Sequence, residues 1–315
     1  MSGLGILCSG QGRQDAAMFE KMWQYPEAEV LMNRIRESGV LPDQAVTWLD
    51  NSAADPDLIF RNDLAQPLVC LYQMMTWEVI KHLLPEPDIF AGYSLGELSA
   101  YGCAGVFQPE ELVRLASVRG RLMTDAATVP QTMAAVIGLK RERLGKICPD
   151  FNAKLAIING GDHFIVGLPS ENLDAFLSDC SKSGASKTVH LPVSTASHTS
   201  FMQSAAEEFN KILKNTEFHS TSAGILSGTC GEKVFSSEKM VDALTAQIHQ
   251  PIDWQACMEN AVSYGCRVFL EIGPGNSLAR MMTDSFPRTE ARSVSEFHDI
   301  HAVKNWLDTA LSRQS

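Results

Sequence analysis

Ile89-Phe90-Ala91-Gly92-Tyr93-Ser94-Leu95-Gly96-Glu97-Leu98-Ser99-Ala100 runs from a short apolar segment, through a Gly-x-Ser-x-Gly pentapeptide, into a stretch of small and helix-forming residues. That succession predicts a buried strand, a sharp turn and a helix. In such a nucleophile elbow the two glycines let the turn close, and the serine sits on strained backbone above a helix N-terminus that favours negative charge. On this reading Ser94 is the nucleophile, and the N–H of Leu95 points at the oxyanion that its attack would create. The competing reading is a tight strand-to-helix turn with an inert serine. The pentapeptide alone recurs by chance, so the strand before it and the helix after it carry the reactive reading.

Outward from the elbow, short apolar runs alternate with longer amphipathic ones, the pattern of an α/β protein. Strands are predicted at Gly5–Cys8, Ile89–Gly92, Ala156–Asn159, Phe164–Gly167, Lys187–Leu191 and Arg267–Ile272. Helices are predicted over 65–83, 95–104, 109–126, 170–184, 199–214, 238–249, 254–264 and 276–285. From Thr132 the order becomes strand (Met133–Leu139), helix (Arg141–Cys148), strand, strand, helix (Ser170–Ser183), strand. That β-α-β-β-α-β order is the ferredoxin-like signature. The expected fold class is therefore α/β: a large α/β-hydrolase-like domain with a parallel sheet core, over residues 1–129 and 196–315, carrying an inserted small ferredoxin-like domain over 130–195. Turn-rich stretches at Thr128–Gln131 and Pro192–Ala196 mark the two joins.

The 315 residues carry a net charge of −11, which argues against nucleic-acid binding and leaves any anionic ligand to be met by local cations. Lys140, Arg141, Arg143, Lys182 and Lys187 of the small domain are candidates, against the plainer reading of a solvated surface. No apolar run reaches the ~18 residues of a membrane span, and the N-terminus lacks the features of a signal peptide. The eight cysteines are scattered without a C-x-x-C pair. They read as reduced thiols of a cytoplasmic protein with no metal site.

His198, in Pro192-Val193-Ser194-Thr195-Ala196-Ser197-His198-Thr199-Ser200, ends a loop where a helix begins and is the candidate base; His163, after Gly160-Gly161-Asp162, is its local rival. His298 and His301 could share a helix face but lack a third ligand. Asp150, Asp162, Asp174 and Asp179 lie between Ser94 and His198 in the order of a hydrolase triad. None has a supporting motif, so a Ser–His dyad oriented by a backbone carbonyl stays open. Arg119 falls mid-stripe among Leu112, Leu115, Ala116, Leu122, Met123 and Ala126 of one predicted helix. A buried arginine needs an anion. That anion is either a structural carboxylate, with Glu97 the candidate, or the carboxylate of a dicarboxylic acyl substrate gripped by the guanidinium fork. Cys8-Ser9-Gly10-Gln11-Gly12-Arg13-Gln14 follows the first strand, and the N–H of Gln11 between its glycines is a candidate second oxyanion donor.

Together these segments resemble the malonyl-CoA:acyl carrier protein transacylase family over nearly the whole chain. Gly10-Gln11-Gly12-x-Gln14 resembles its first oxyanion loop, Gln66-Pro67 its next motif, and Gly92-Tyr93-Ser94-Leu95-Gly96-Glu97 its elbow. Arg119 and Ser197-His198 fall at its carboxylate-binding arginine and its catalytic histidine. Gln247-Ile248-His249-Gln250-Pro251 resembles the segment whose backbone carbonyl orients that histidine, and Glu271-Ile272-Gly273-Pro274-Gly275 its closing motif. The resemblance implies ping-pong transfer of malonyl from malonyl-CoA to a carrier thiol, with Ser94, His198, Gln11, Leu95 and Gln247 in catalysis, Arg119 and Gln66 binding substrate, and no bound cofactor. Ser9 and Tyr93 depart from the proline and histidine usual in the fatty-acid enzymes. Tyr93, Gly102-Cys103-Ala104-Gly105, Ile225-Leu226-Ser227-Gly228 and Ala291–Phe297 are more similar to the epsilon subunit of bacterial malonate decarboxylase. That implies an acyl carrier subunit with a phosphoribosyl-dephospho-CoA arm as acceptor and the other decarboxylase subunits as partners. The alternatives are the transacylase of fatty-acid or polyketide synthesis, a serine thioesterase or hydrolase, and a non-catalytic scaffold.

Overall fold

In chain order the strands are β1 Gly3–Cys8, β2 Ile89–Gly92, β3 Gln131–Ile137, β4 Lys154–Gly160, β5 His163–Pro169, β6 Lys187–Leu191, β7 Gly224–Leu226, β8 Lys233–Val234, β9 Ile252–Asp253, β10 Cys266–Ile272 and β11 Glu290–Ser293. They come from a computed structural model that describes residues 3–15, 17–50, 56–191 and 193–314. Pro192, at the second predicted join, lies outside the described residues.

The larger sheet has the order β11-β10-β1-β2-β7-β8, and every neighbouring pair except β7–β8 is parallel. Along β1, Leu4, Ile6 and Cys8 enter one core cluster and Leu7 the other; along β2, Phe90 enters the first and Ile89 and Ala91 the second. A strand covered on both faces must be apolar at both parities, which is why these segments read as unbroken apolar runs. The smaller sheet has the order β6-β3-β5-β4-β9, antiparallel except for β4–β9. Met133, Ala135, Ile157 and Ile165 point from it into the second cluster beside Leu7, Ile89 and Ala91. The opposite parity, with Ala134, Val136, Phe164 and Val166, forms a third cluster with residues of the helices Arg141–Ile147 and Leu173–Lys182. Each fully buried Ile, Leu or Phe contributes roughly 1.5–3 kcal/mol, so the shared cluster holds the two sheets together.

Four strands lie outside the sequence-based expectation, the short β7 and β8 together with β9 and β11. β9 joins the smaller sheet from outside residues 130–195, because its two residues pair with β4 and carry no long apolar run. β11, Glu-Ala-Arg-Ser, is a polar edge strand with a single neighbour, and edges tolerate the charges that disguise it in the sequence. Among the described residues no helix is long and apolar enough to cross a membrane.

The parallel register places Cys8 opposite both Gly92 and Ile272. The loops after β1, β2 and β10 therefore leave the sheet at one edge. Carboxyl ends of parallel strands are where such folds bind ligands.

Candidate active site

Ser94 caps the helix Leu95–Cys103 with φ 55° and ψ −117°, a conformation that L residues rarely hold. Gly92 and Gly96 permit it by close approach. A Cβ on Gly92 would lie 2.0 Å from the backbone of Gly96, and one on Gly96 would lie 2.0 Å from the carbonyl oxygen of Cys8. Gly96→Ala is expected to cost at least roughly 3 kcal/mol, since the obstructing atom is backbone that cannot yield. A thermal melt checks this; an unchanged Tm would show that the elbow is more pliable than its packing.

Ser94 Oγ lies 2.7 Å from His198 Nε2. His198 also has positive φ, 62°, and is 1% exposed. Its N–H donates to Ile248 O (3.0 Å), and its Nδ1 lies 2.5 Å from Gln247 O. A carbonyl only accepts, so Nδ1 carries the proton and Nε2 presents its lone pair to the serine. None of Asp150, Asp162, Asp174 or Asp179 bonds to His198 among the described residues, and the open choice resolves to a dyad on a backbone carbonyl. Burial, and then the nearby Arg119 charge, pull His198 down to about 3 against the opposing pull of the Gln247 carbonyl. His163 instead faces Asn159 at 3.4 Å, and His298 is solvated beside Asp299.

The two candidate oxyanion donors flank the serine. Gln11 borders the same cavity, and neither its N–H nor that of Leu95 has a hydrogen-bond partner among the described residues. The cavity is about 320 Å³, with Ser94, His198 and Gln11 on its floor and Met133, Ile157, Leu191 and Met281 on its walls. The small sheet supplies Met133, Ile157, Ile165 and Leu191, and the loops after β1 and β2 of the large sheet supply Gln11 and Ser94. Among the described residues no group of His, Cys, Asp and Glu converges as a metal ion requires.

Arg119 is 3% exposed and does not border the cavity. Its Nη1 donates to Gln66 Oε1 (2.7 Å) and its Nη2 to Gln247 Oε1 (2.8 Å). Glu97 does not pair with it directly; Gln247 Nε2 donates to Glu97 Oε2 (3.0 Å) and to Ser94 O (2.6 Å). Gln247 thus touches the nucleophile, the base and the arginine at once. Gln66, expected to bind substrate, is buried behind Arg119 and contacts the guanidinium and Met123 instead of the cavity. It lies on the inward face of the fully packed helix Asn62–Ile80 and reaches only what lies against that face. Lys140, Arg141, Arg143, Lys182 and Lys187 do not line the cavity either.

Sequence reasoning missed Asn62, which accepts from Gln11 Nε2 (2.9 Å) and donates to Thr195 Oγ1 (3.1 Å), tying the first loop to the histidine loop. It missed Gln73, whose Nε2 donates to Ser9 O (2.7 Å) and Ile272 O (3.1 Å), joining the ends of β1 and β10. Neither sits in a local motif; a polar residue inside an otherwise apolar helix was the signal available for Gln73.

A profile of the acyl transferase domain family matches residues 6–304. A malonyl CoA-acyl carrier protein transacylase of Escherichia coli O157:H7 is 30% identical over 94% of this chain and 97% of its own. The acyl carrier protein S-malonyltransferase of Vibrio cholerae superposes with a TM-score of 0.87 at 27% identity, covering 96% of this chain and all of its own. A malonyl-transacylase solved in complex with its type II PKS acyl-carrier protein superposes with a TM-score of 0.86 at 26% identity, over 93% and 96% of the two chains.

Proposed function

Because the chain belongs to the acyl transferase domain family, we propose that it moves malonyl from malonyl-CoA to the thiol of an acyl carrier protein through an ester on Ser94. The observation that carries this is the 2.7 Å contact of Ser94 Oγ with a histidine of fixed tautomer, one glutamine away from a buried arginine. His198 takes the serine proton as Ser94 attacks the thioester. The N–H groups of Gln11 and Leu95 receive the oxyanion, and His198 returns the proton to the departing thiolate of coenzyme A. The carrier thiol then gives its proton to His198 and takes the acyl group. Gln247 orients the histidine and, with Gln66, holds the guanidinium of Arg119; on this reading the malonyl carboxylate reaches past the cavity seen in the structure to meet that guanidinium. The reaction needs no bound cofactor on this reading.

Mass spectrometry of the intact protein after mixing with malonyl-CoA is expected to show one malonyl adduct that persists until a carrier is added. Free malonate accumulating without an adduct would favour the hydrolase alternative; a buried arginine beside the dyad has little use in a general esterase. Since His198 is pulled to about 3, it stays neutral and able to accept a proton at lower pH than an ordinary histidine. The loading rate is therefore expected to hold well below pH 6.5, and an acid limb centred there in a stopped-flow profile would count against a buried neutral base.

The narrower setting of malonate decarboxylase, with a phosphoribosyl-dephospho-CoA arm on the carrier, rests on the resemblance at Tyr93, Gly102–Gly105, Ile225–Gly228 and the 291–297 segment. The named relatives are transacylases of an acyl carrier protein, so the general carrier is the better supported acceptor. We also read residues 130–195 as an inserted ferredoxin-like unit within a domain of 1–129 and 196–315, supported by the strand order β6-β3-β5-β4. A cytoplasmic setting is supported by eight free thiols, seven of them buried.

A further inference from the structure

Glu97 is fully buried in the first turn of the elbow helix. One carboxylate oxygen, Oε2, accepts from Gln247 Nε2 at 3.0 Å and lies against the backbone of Gly228. The other, Oε1, has no partner among the described residues. The space is shaped to this group, since a Cβ on Gly228 would lie 2.4 Å from Glu97 Oε2. Arg119 is the counterpart: a buried guanidinium held by two neutral glutamine oxygens, with no carboxylate within ion-pair distance among the described residues. A single side chain, Gln247, separates the two charges, bonded to Arg119 through its oxygen and to Glu97 through its nitrogen.

We propose that Glu97 is a specificity-determining residue: when ionised it offsets the charge of Arg119, and when protonated it releases that charge to the acyl carboxylate, so Glu97 sets how strongly malonyl is preferred over an uncharged acyl group. This rests on the malonyl-transfer reading above. Two like charges served by one buried arginine repel, so an arriving carboxylate favours the protonated form of Glu97, and by reciprocity the protonated form favours the carboxylate. Burial raises Glu97 to about 7, against the pull of Gln247, Gly228 and Arg119, which places the exchange within the working range. The other titratable groups that feel Glu97 are Tyr101 on its own helix and Cys257 on the helix Trp254–Ser263. Burial pushes both well above their ordinary values, so they stay neutral while Glu97 titrates. His198, pulled down to about 3, stays neutral too.

The test is the ratio of kcat/KM for malonyl-CoA to that for acetyl-CoA, measured from pH 6 to pH 9 on the wild type and Glu97→Gln. Ser94 and His198 serve both substrates and cancel in the ratio. In the wild type the ratio is expected to fall roughly 10- to 100-fold as pH rises, the scale of one charge acting at short range inside a protein. In Glu97→Gln, which keeps the bond to Gln247, it is expected to be flat and to match the low-pH wild-type value. A flat wild-type ratio, or the same slope in both proteins, overturns the proposal.

A second arm uses the wild type alone. Serine acylation by a thioester converts a hydroxyl to an ester and releases a thiol, with no net proton. Loading from malonyl-CoA near pH 7.5 in weak buffer with an indicator dye is expected to consume part of a proton per Ser94 beyond that for acetyl-CoA. Equal uptake from the two substrates overturns the proposal. If Ser94 takes up neither acyl group the malonyl-transfer reading falls as well; if it takes up both and the ratio is flat, this inference alone falls.

Discussion

Ser94→Ala is expected to abolish the acyl-enzyme adduct and to lower transfer to the carrier by about 10⁴- to 10⁶-fold, the range for losing a nucleophile that works as a unit with its base. The size follows from the geometry. Ser94 Oγ is the hydroxyl 2.7 Å from His198 Nε2, and the backbone donors around it stabilise charge only once an attack has occurred. The substitution removes one oxygen and leaves the positive-φ backbone and the Gln247 contact to Ser94 O as they were. The variant should therefore melt within about 1 kcal/mol of the wild type, and the loss can be read as chemistry. Intact mass after malonyl-CoA and turnover with a carrier are the two measurements. A carrier that is still loaded at an undiminished rate would show that Ser94 is not the acyl acceptor and would revive the scaffold alternative.

Arg119→Ala is expected to lower kcat/KM for malonyl-CoA by roughly 100- to 1000-fold, the cost of breaking a desolvated charge pair. Acetyl-CoA, which offers no carboxylate, should lose far less, so the ranking of the two substrates inverts. The arginine's charge lies deep enough for its pKa to be lowered to about 10 by burial, a cost that nothing among its neutral glutamine partners repays. Truncation also strands Gln66 Oε1 and Gln247 Oε1, and some stability loss accompanies the change. Comparison of the two acyl-CoAs on the same variant separates that loss from recognition. An equal fall for both would mean that Arg119 holds the fold of the site and not the substrate's carboxylate.

Glu97 shows where reading the sequence stops. It is visible there as the last residue of the elbow motif and as a candidate partner for Arg119. The structure puts Gln247, 150 positions away, between the two. That intervening amide turns a supposed ion pair into two separate buried charges. Gln66 is a similar case: its motif was legible, but the rotation of its helix directs it to the arginine rather than the cavity. Asn62 and Gln73 had no motif at all, because each bonds across elements far apart in the chain.

The sequence by itself determined the elbow around Ser94, the parallel sheet beneath it and the burial of Arg119, because each depends on short-range rules: apolar parity in buried strands, glycine where backbones touch, and a charge set in an apolar helical stripe; His198 stands out from its rivals only through the resemblance. The tertiary structure decided that the Gln247 carbonyl, which the resemblance points to, meets His198 Nδ1, what holds Arg119, and that β9 closes the second sheet from outside its segment. Those are contacts between residues 49 to 128 positions apart. Their partners are backbone carbonyls and amide side chains, which any stretch of chain can supply, so a motif can flag Gln66 or Gln247 but not which group each meets until the elements pack and bring them within hydrogen-bond distance.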